Sequence, residues 1–120
     1  MTSNQEIFRL LDSNKLINSY EVLDFRENPY GFFLKLKVQF INQSILFSKE
    51  YFSIDIRNYS FHWQDKNSKL LMRWDNAPFH KSIETFPHHK HKGKKILPSN
   101  EIGLEDVLSY ISKNLEELYS

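Results

Sequence analysis

The sequence contains no cysteine among its 120 residues. Disulfide bonds and metal sites built on thiolates are therefore excluded, and the absence fits a reducing cytosol. A run of eighteen apolar residues and a secretory leader pattern are also absent, so we expect a cytoplasmic protein with no membrane contact. Glycine is scarce, with three residues, so turns that need a positive φ must use Asn or Asp instead.

Aromatic residues, by contrast, are abundant: 10 Phe, 6 Tyr and 2 Trp. A chain of 120 residues with this composition forms one domain and buries a core without covalent staples. The net charge of +1 is unevenly spread, because residues 99–120 carry −4 and residues 1–98 carry +5. We therefore predict a weakly basic body followed by an acidic final helix.

Hydrophobic spacing predicts an α+β fold in the order helix, about five antiparallel strands, loop, helix. Ser3 and Glu6 have the spacing of a capping box at the start of a short helix over residues 4–15. An apolar stripe from Leu104 to Leu118 predicts the C-terminal helix. Strands are predicted over residues 21–27, 33–41, 44–49, 59–64 and 70–74, with residues 51–56 either extending the third strand or starting another.

The stretch between the last strand and the C-terminal helix, residues 75–100, shows no regular hydrophobic period. A loop of this length is uncommon in a compact domain unless it is functional or disordered. Its prolines and aromatic residues argue against disorder. Four of the five histidines lie within it, and a basic tail follows at residues 90–95. We therefore predict that this histidine-rich loop is the functional site.

Four segments of the sequence are distinctive: residues 59–65 (YSFHWQD), 72–78 (MRWDNAP), 85–91 (TFPHHKH) and 104–108 (LEDVL). Together they resemble the TumE family, the toxins of bacterial and archaeal toxin–antitoxin pairs. The resemblance spans about residues 20–112 and implies a toxin role with a cognate helix-turn-helix antitoxin as partner. It departs from the family at Phe79, where the usual pattern reads Ala-Pro-His-His-Pro. Phe79 has no proton to exchange, so either this position is not catalytic or this copy is impaired.

The histidine-rich loop is suited to RNA cleavage, which without a metal needs a base, an acid and a cation beside the phosphorane. Imidazole exchanges protons near neutral pH, and Arg or Lys supplies the cation. We expect His88 or His89 to transfer the proton, with Arg73 or Lys90 stabilising the phosphorane. The candidate catalytic residues are His80, His88, His89, His91, Arg73 and Asp75. The candidate nucleic-acid contacts are Lys90, Lys92, Lys94, Lys95 and Trp74.

Self-association into a homo-oligomer remains open. The histidine-rich loop itself has two alternative uses. The first is binding of Zn²⁺ or Mn²⁺ by His89 and His91, together with His80 and either Asp75 or Glu84. The second is a non-catalytic module that binds nucleic acid or protein. Trp74 has two interpretations as well: it either stacks on a base or anchors the loop in the core. Asp75 and Asn76 are predicted to cap the backbone. On the last hairpin, His62 and Arg73 are predicted neighbours.

Overall fold

The computed structural model describes residues 4–119, with the side chains of residues 5–117. Within this range the chain forms two helices, α1 (Asn4–Ser13) and α2 (Leu104–Tyr119), and seven strands. The strands are β1 (Ile17–Asn28), β2 (Gly31–Phe40), β3 (Ile45–Ser53), β4 (Arg57–Gln64), β5 (Leu70–Asp75), β6 (His89–Lys92) and β7 (Lys95–Pro98). Ser3 and the side chain of Leu118, both used in the predictions above, lie outside the described residues.

The sheet is an antiparallel meander in which every strand pairs with its neighbour in sequence, in the order β1 to β7. Alternation along β2 sets its two faces, with Leu34, Leu36 and Val38 buried and the lysines between them on the other side. The helices pack on the first face. Ile7 and Leu11 of α1 meet the sheet there, and the apolar stripe of α2 covers the rest. No helix among residues 4–119 covers the opposite face.

The α+β prediction with two flanking helices is confirmed, but the expected number of about five strands is wrong, because the sheet has seven. The predicted strands over residues 44–49 and 51–56 merge into the single strand β3 as far as Ser53. The larger difference lies in residues 75–100, which were expected to be a loop throughout. They contain the β6–β7 hairpin, so the loop proper is limited to residues 76–88.

The β6–β7 hairpin escapes prediction because its four-residue strands carry His and Lys where apolar alternation is expected. Lys92 pairs with Lys95, which leaves Gly93 and Lys94 as a two-residue turn. Gly93 has φ = 60°, the positive value that the first turn residue of such hairpins can need. The sequence signal for this hairpin was Gly93, which lies between two short basic segments.

Candidate functional site

The sheet face without a helix, called here the open face, is crossed by two rows of side chains. Residues paired across neighbouring strands point to the same face, so the register identifies each row. The first row consists of Lys37, Phe47, His62, Arg73, His91 and Ile96. The second consists of Lys35, Lys49, Ser60, Asp75, His89 and Pro98. The first row begins at the half-buried Lys37 and the second at the exposed pair Lys35 and Lys49. Both rows pass through a histidine of β6 and end on β7.

Asp75 is the centre of the second row and is buried, with 5% of its surface exposed. Its Oδ1 accepts a hydrogen bond from the Ala77 backbone N–H at 3.0 Å. Its Oδ2 accepts one from Arg73 Nε at 3.1 Å. The Ala77 contact is the backbone-capping role predicted from the sequence. The carboxylate oxygens also face His89 and His91 of β6. Asp75 therefore contacts both the loop, at Ala77, and strand β6.

His89 lies beside Asp75 and is 2% exposed. Its Nδ1 donates to the carbonyl oxygen of Pro87 at 3.0 Å, since a carbonyl can only accept. Its Nε2 is 3.0 Å from Asp75 Oδ1. Both ring nitrogens are therefore engaged, and the orientation of the ring is fixed. Such a side chain is held in place and is shielded from solvent.

His80 and His91 complete a group that we call the His–Asp cluster: Asp75, His80, His89 and His91. One ring nitrogen from each of the three histidines lies within 4.8 Å of the others. The His91 Nε2 is 3.7 Å from Asp75 Oδ2. Burial lowers the pKa of His91, and the neighbouring Asp75 carboxylate opposes that shift. Unlike His89, both His80 and His91 are only half-buried and so reach the surface.

Arg73 stands next to the cluster and is held from two sides. Its Nε donates to Asp75, and its Nη1 donates to the Nδ1 of His62 at 3.3 Å. The predicted neighbourhood of His62 and Arg73 is therefore confirmed. Burial, and then the Arg73 charge, lower the pKa of His62, which suits its role as a neutral acceptor. The Arg73 side chain is 38% exposed, so a fixed guanidinium reaches the open face.

His88 lies away from the cluster, although it is adjacent to His89 in sequence. Its Nδ1 is 2.9 Å from the Tyr59 hydroxyl, and the two rings stack with centroids 5.8 Å apart. Burial raises the pKa of Tyr59 to about 12, so the phenol stays protonated and donates to the imidazole. Because residues next to each other on extended backbone point to opposite sides, His88 and His89 were not both available to one site.

His88 lines a cavity of about 720 Å³ between β3, β4 and the start of α2. This cavity carries mostly negative charge: Glu50, Asp55, Glu101, Glu105 and Asp106 line it, against Arg57. Arg57 forms ion pairs with Glu50 at 2.7 Å and with Glu101 at 3.2 Å, so its charge is already compensated. A phosphate-bearing substrate is repelled by such a lining. This acidic cavity is therefore a poor candidate for the nucleic-acid site, and the cluster on the open face is a better one.

The residues predicted to contact nucleic acid are spread over other surfaces. Trp74 is 5% exposed and packs edge-on against Tyr110 of α2, as a core anchor does. Lys90 pairs with Trp74 across β5 and β6, so it lies on the helix side of the sheet. The other predicted lysines are exposed on or beside the β6–β7 turn: Lys92, Lys94 and Lys95. None of these residues belongs to the His–Asp cluster.

Sequence reasoning missed the open-face lysines and aromatics. Lys35 and Lys49 are exposed and face each other across β2 and β3. Phe47 and Tyr51 stand beside them on β3, and Tyr51 is 41% exposed. The alternation along residues 33–41 places Lys35 and Lys37 on the face opposite the core. This pattern was the signal that could have extended the predicted site beyond the loop.

The fold and the site together define a class: a small α+β protein whose open antiparallel sheet leads to a histidine–aspartate–arginine centre at one end. A family model described as Toxin TumE matches residues 7–117, nearly the whole chain, so the protein belongs to the TumE toxin family. It therefore has a toxin role and, as a member of a toxin family, an antitoxin partner. No match to a curated protein or to a solved structure was found. Neither described helix is long and apolar enough to cross a membrane.

Proposed function

We propose that this toxin acts on RNA and cleaves it at the His–Asp cluster, with Arg73 binding the scissile phosphate. The observation that carries the proposal is the pair of cross-strand rows. They join the exposed lysines of β2 and β3 to the cluster on one continuous sheet face. Strand spacing of about 4.8 Å puts β2 roughly 14 Å from β5, so a bound strand has room to contact both.

Charge supports a polyanionic substrate on this face. From β2 to β6 the two rows contain Lys35, Lys37, Lys49 and Arg73 against Asp75. Two further acidic residues lie at the far edge of the face, on β1, where Glu21 pairs with Lys37 and Asp24 with Lys35. Asp75 is already bonded to Arg73 and the Ala77 N–H, so its charge is largely compensated. Cations along a groove bind the phosphate backbone whatever the base sequence. The open face therefore suits a single strand of RNA better than does the acidic cavity near His88.

Aromatic side chains on the same face offer stacking surfaces for unpaired bases. Tyr51 and Phe79 line a shallow depression with Arg73 and Asp75. Phe79 is 80% exposed, which leaves its ring available to a ligand. Stacking of a base on an aromatic ring contributes about 1–3 kcal/mol. The stacking role assigned to Trp74 from the sequence is better filled by these exposed rings.

Chemistry at the cluster divides between Arg73 and the half-buried histidines. Arg73 is pre-positioned by Asp75 and His62, so its planar fork can bind phosphate oxygens without a further ordering cost. His80 and His91 are the cluster members that reach solvent and therefore substrate. One of them accepts the proton of the attacking 2′-hydroxyl, and the other donates a proton to the 5′-oxygen that leaves as its P–O bond breaks, at the phosphate held by Arg73. His89 and Asp75, both buried, hold that arrangement in place.

The test is cleavage of a short single-stranded RNA, together with growth arrest on induced expression. Arg73→Gln is expected to lower the cleavage rate about 10²–10³-fold, by analogy with the loss of an oxyanion donor. His91→Ala is expected to lower it about 10²–10⁴-fold. His88→Ala is the matched control, because His88 is a histidine of the same loop outside the cluster, and it should retain wild-type cleavage.

Each variant is first checked for folding by circular dichroism. If folded Arg73→Gln and His91→Ala keep wild-type cleavage and toxicity, the cluster is not the reaction centre and the proposal fails. If the wild-type protein binds the RNA without cutting it, the toxin acts by occupying its target, and the catalytic part of the proposal is removed.

A further inference from the structure

We propose that the His–Asp cluster is a binding site for a divalent transition-metal ion of the Zn²⁺ type, with His80, His89, His91 and Asp75 as ligands. The inference concerns the same cluster as the function proposed above, and with the ion bound it replaces proton transfer by His80 and His91 with activation by the metal. The part that concerns RNA cleavage rests on that function, whereas the binding of the ion rests on the geometry of the cluster alone.

The first argument is the spacing of the ligand atoms. Zn²⁺ bonds imidazole nitrogen and carboxylate oxygen at about 2.0–2.2 Å, so tetrahedral ligands lie roughly 3.3–3.5 Å from one another. In the cluster, the three nitrogens lie within 4.8 Å of one another. The His89 Nε2 is 3.0 Å from Asp75 Oδ1, and the His91 Nε2 is 3.7 Å from Asp75 Oδ2. These values bracket the tetrahedral spacing, so small side-chain shifts close the site around an ion.

The second argument is the hydrogen bond on the far side of His89. The Nδ1–H donates to the Pro87 carbonyl, which leaves Nε2 to face the centre of the cluster. Histidine ligands of metals commonly donate their other N–H to a carbonyl or a carboxylate in this way, which fixes the tautomer and the ring. Asp75 is held in the same manner by the Ala77 N–H and Arg73. Two of the four ligands are thus pre-oriented before any ion arrives.

The third argument concerns how the three rings meet. Their centroids are 4.7, 4.9 and 5.6 Å apart, and each pair of planes is inclined by 71–74°. A proton can join the His89 Nε2 to Asp75, but it does not account for two further imidazole nitrogens directed at the same place. One cation among the three nitrogens would satisfy them together, and Asp75 adds an oxygen beside His89 and His91.

The ligand types select the class of ion. Three imidazoles with one carboxylate and no thiolate suit Zn²⁺ and neighbouring first-row metals, whereas Mg²⁺ and Ca²⁺ prefer oxygen ligands. His80 and His91 lie at the surface, so the ion is reachable from the open face and can expand to a fifth ligand. An ion there would polarise a phosphate oxygen or a bound water beside Arg73, replacing imidazole in the activation step.

The test uses the full chain, stripped with a chelator and titrated with Zn²⁺ by calorimetry, with metal content measured after desalting. The wild-type protein should take up one equivalent and melt at a higher temperature when loaded. His89→Ala should weaken Zn²⁺ binding by more than about 100-fold, since changes outside the ligand set already cost about 10–100-fold. His88→Ala is the control and should bind Zn²⁺ like the wild type.

His80→Ala is the second variant, because His80 lies half-buried in a loop and its loss does not threaten the sheet. It must also reduce Zn²⁺ affinity. The proposal is overturned if the wild-type protein takes up no stoichiometric Zn²⁺, or if folded His89→Ala and His80→Ala bind it as the wild type does. An RNA cleavage assay separates the metal-site proposal from the proposed RNA-cleaving function. Binding of Zn²⁺ without cleavage removes the proposed function alone. Undiminished cleavage by metal-free protein removes the catalytic use of the ion.

Discussion

Phe79 illustrates what a single residue contributes to this surface. It stands where the TumE pattern usually has histidine, and its ring is 80% exposed beside the depression that contains Arg73. An aromatic residue this exposed gains nothing from core burial. We therefore predict that the Phe79 ring stacks on an unpaired base beside the cluster, a role that needs no proton transfer.

Phe79→Ala is expected to weaken binding of single-stranded RNA by roughly 5–150-fold, the equivalent of losing one base stack of about 1–3 kcal/mol. Fluorescence anisotropy with a labelled oligonucleotide measures the change. Tyr30→Ala is the matched control, since Tyr30 is also an exposed aromatic, at 71%, but lies at the β1–β2 turn. Equal affinity for the wild type and Phe79→Ala would remove Phe79 from the substrate surface.

At the scale of the strand, Gly31 sets the distance between β2 and β3. It pairs with Ser53, and a Cβ built at this position would meet the backbone oxygen of Phe52 at 1.9 Å. Backbone cannot swing aside as a flexible side chain does. The close approach is therefore possible only because residue 31 has no side chain.

Gly31→Ala is accordingly expected to destabilise the protein by about 1–3 kcal/mol, towards the upper end because the clash is with backbone. Gly103→Ala is the control, since its added Cβ meets nothing closer than an Arg57 nitrogen at 4.0 Å. Urea unfolding of the two variants and the wild type gives the comparison. A Gly31→Ala midpoint equal to that of Gly103→Ala would contradict the close approach.

The elements differ in how far sequence could predict them. β2 and α2 were predictable because long apolar patterns record which face of each is buried. The β6–β7 hairpin was not, since its pairing is fixed by β5 and by the turn at Gly93 rather than by its own side chains.

The His–Asp cluster was only partly predictable. Composition singled out its histidines, but only the pairing of Asp75 with His89 shows which histidines converge and which, like His88, turn away.

Charge divides the whole molecule into two surfaces. The open face carries lysines and Arg73, while the cavity beside the start of α2 is lined mainly by acidic residues. The sequence predicts a basic body and an acidic final helix, with either that helix or the basic loop as part of the antitoxin interface. The acidic cavity differs from this prediction, because it combines Glu105 and Asp106 of α2 with Glu50 and Asp55 of the body. Because the substrate proposed for the open face is anionic, we predict that the acidic cavity binds a basic segment of the antitoxin.

The resemblance to the TumE family implies that the antitoxin is encoded beside the toxin, so co-expression with that gene should yield a stable complex. The double variant Asp55→Lys/Glu105→Lys should weaken the complex, since both carboxylates line the cavity and are exposed. The expected effect is an increase in Kd of at least about 10-fold, measured by calorimetry. Glu116→Lys, an exposed change near the other end of α2, is the control and should leave the complex intact. Separate elution of the wild-type proteins at micromolar concentration would contradict the partnership itself.

The strict neighbour-to-neighbour order of the strands has a consequence for how the chain folds. Arg73 and His91 are eighteen positions apart, and every pairing that builds the centre is made by adjacent hairpins. Closing short loops costs less chain entropy than closing long ones, and local pairing is associated with fast folding. We therefore expect the His–Asp cluster to form as soon as the β6–β7 hairpin docks on β5. During synthesis on the ribosome, this can happen before the residues of α2 have emerged.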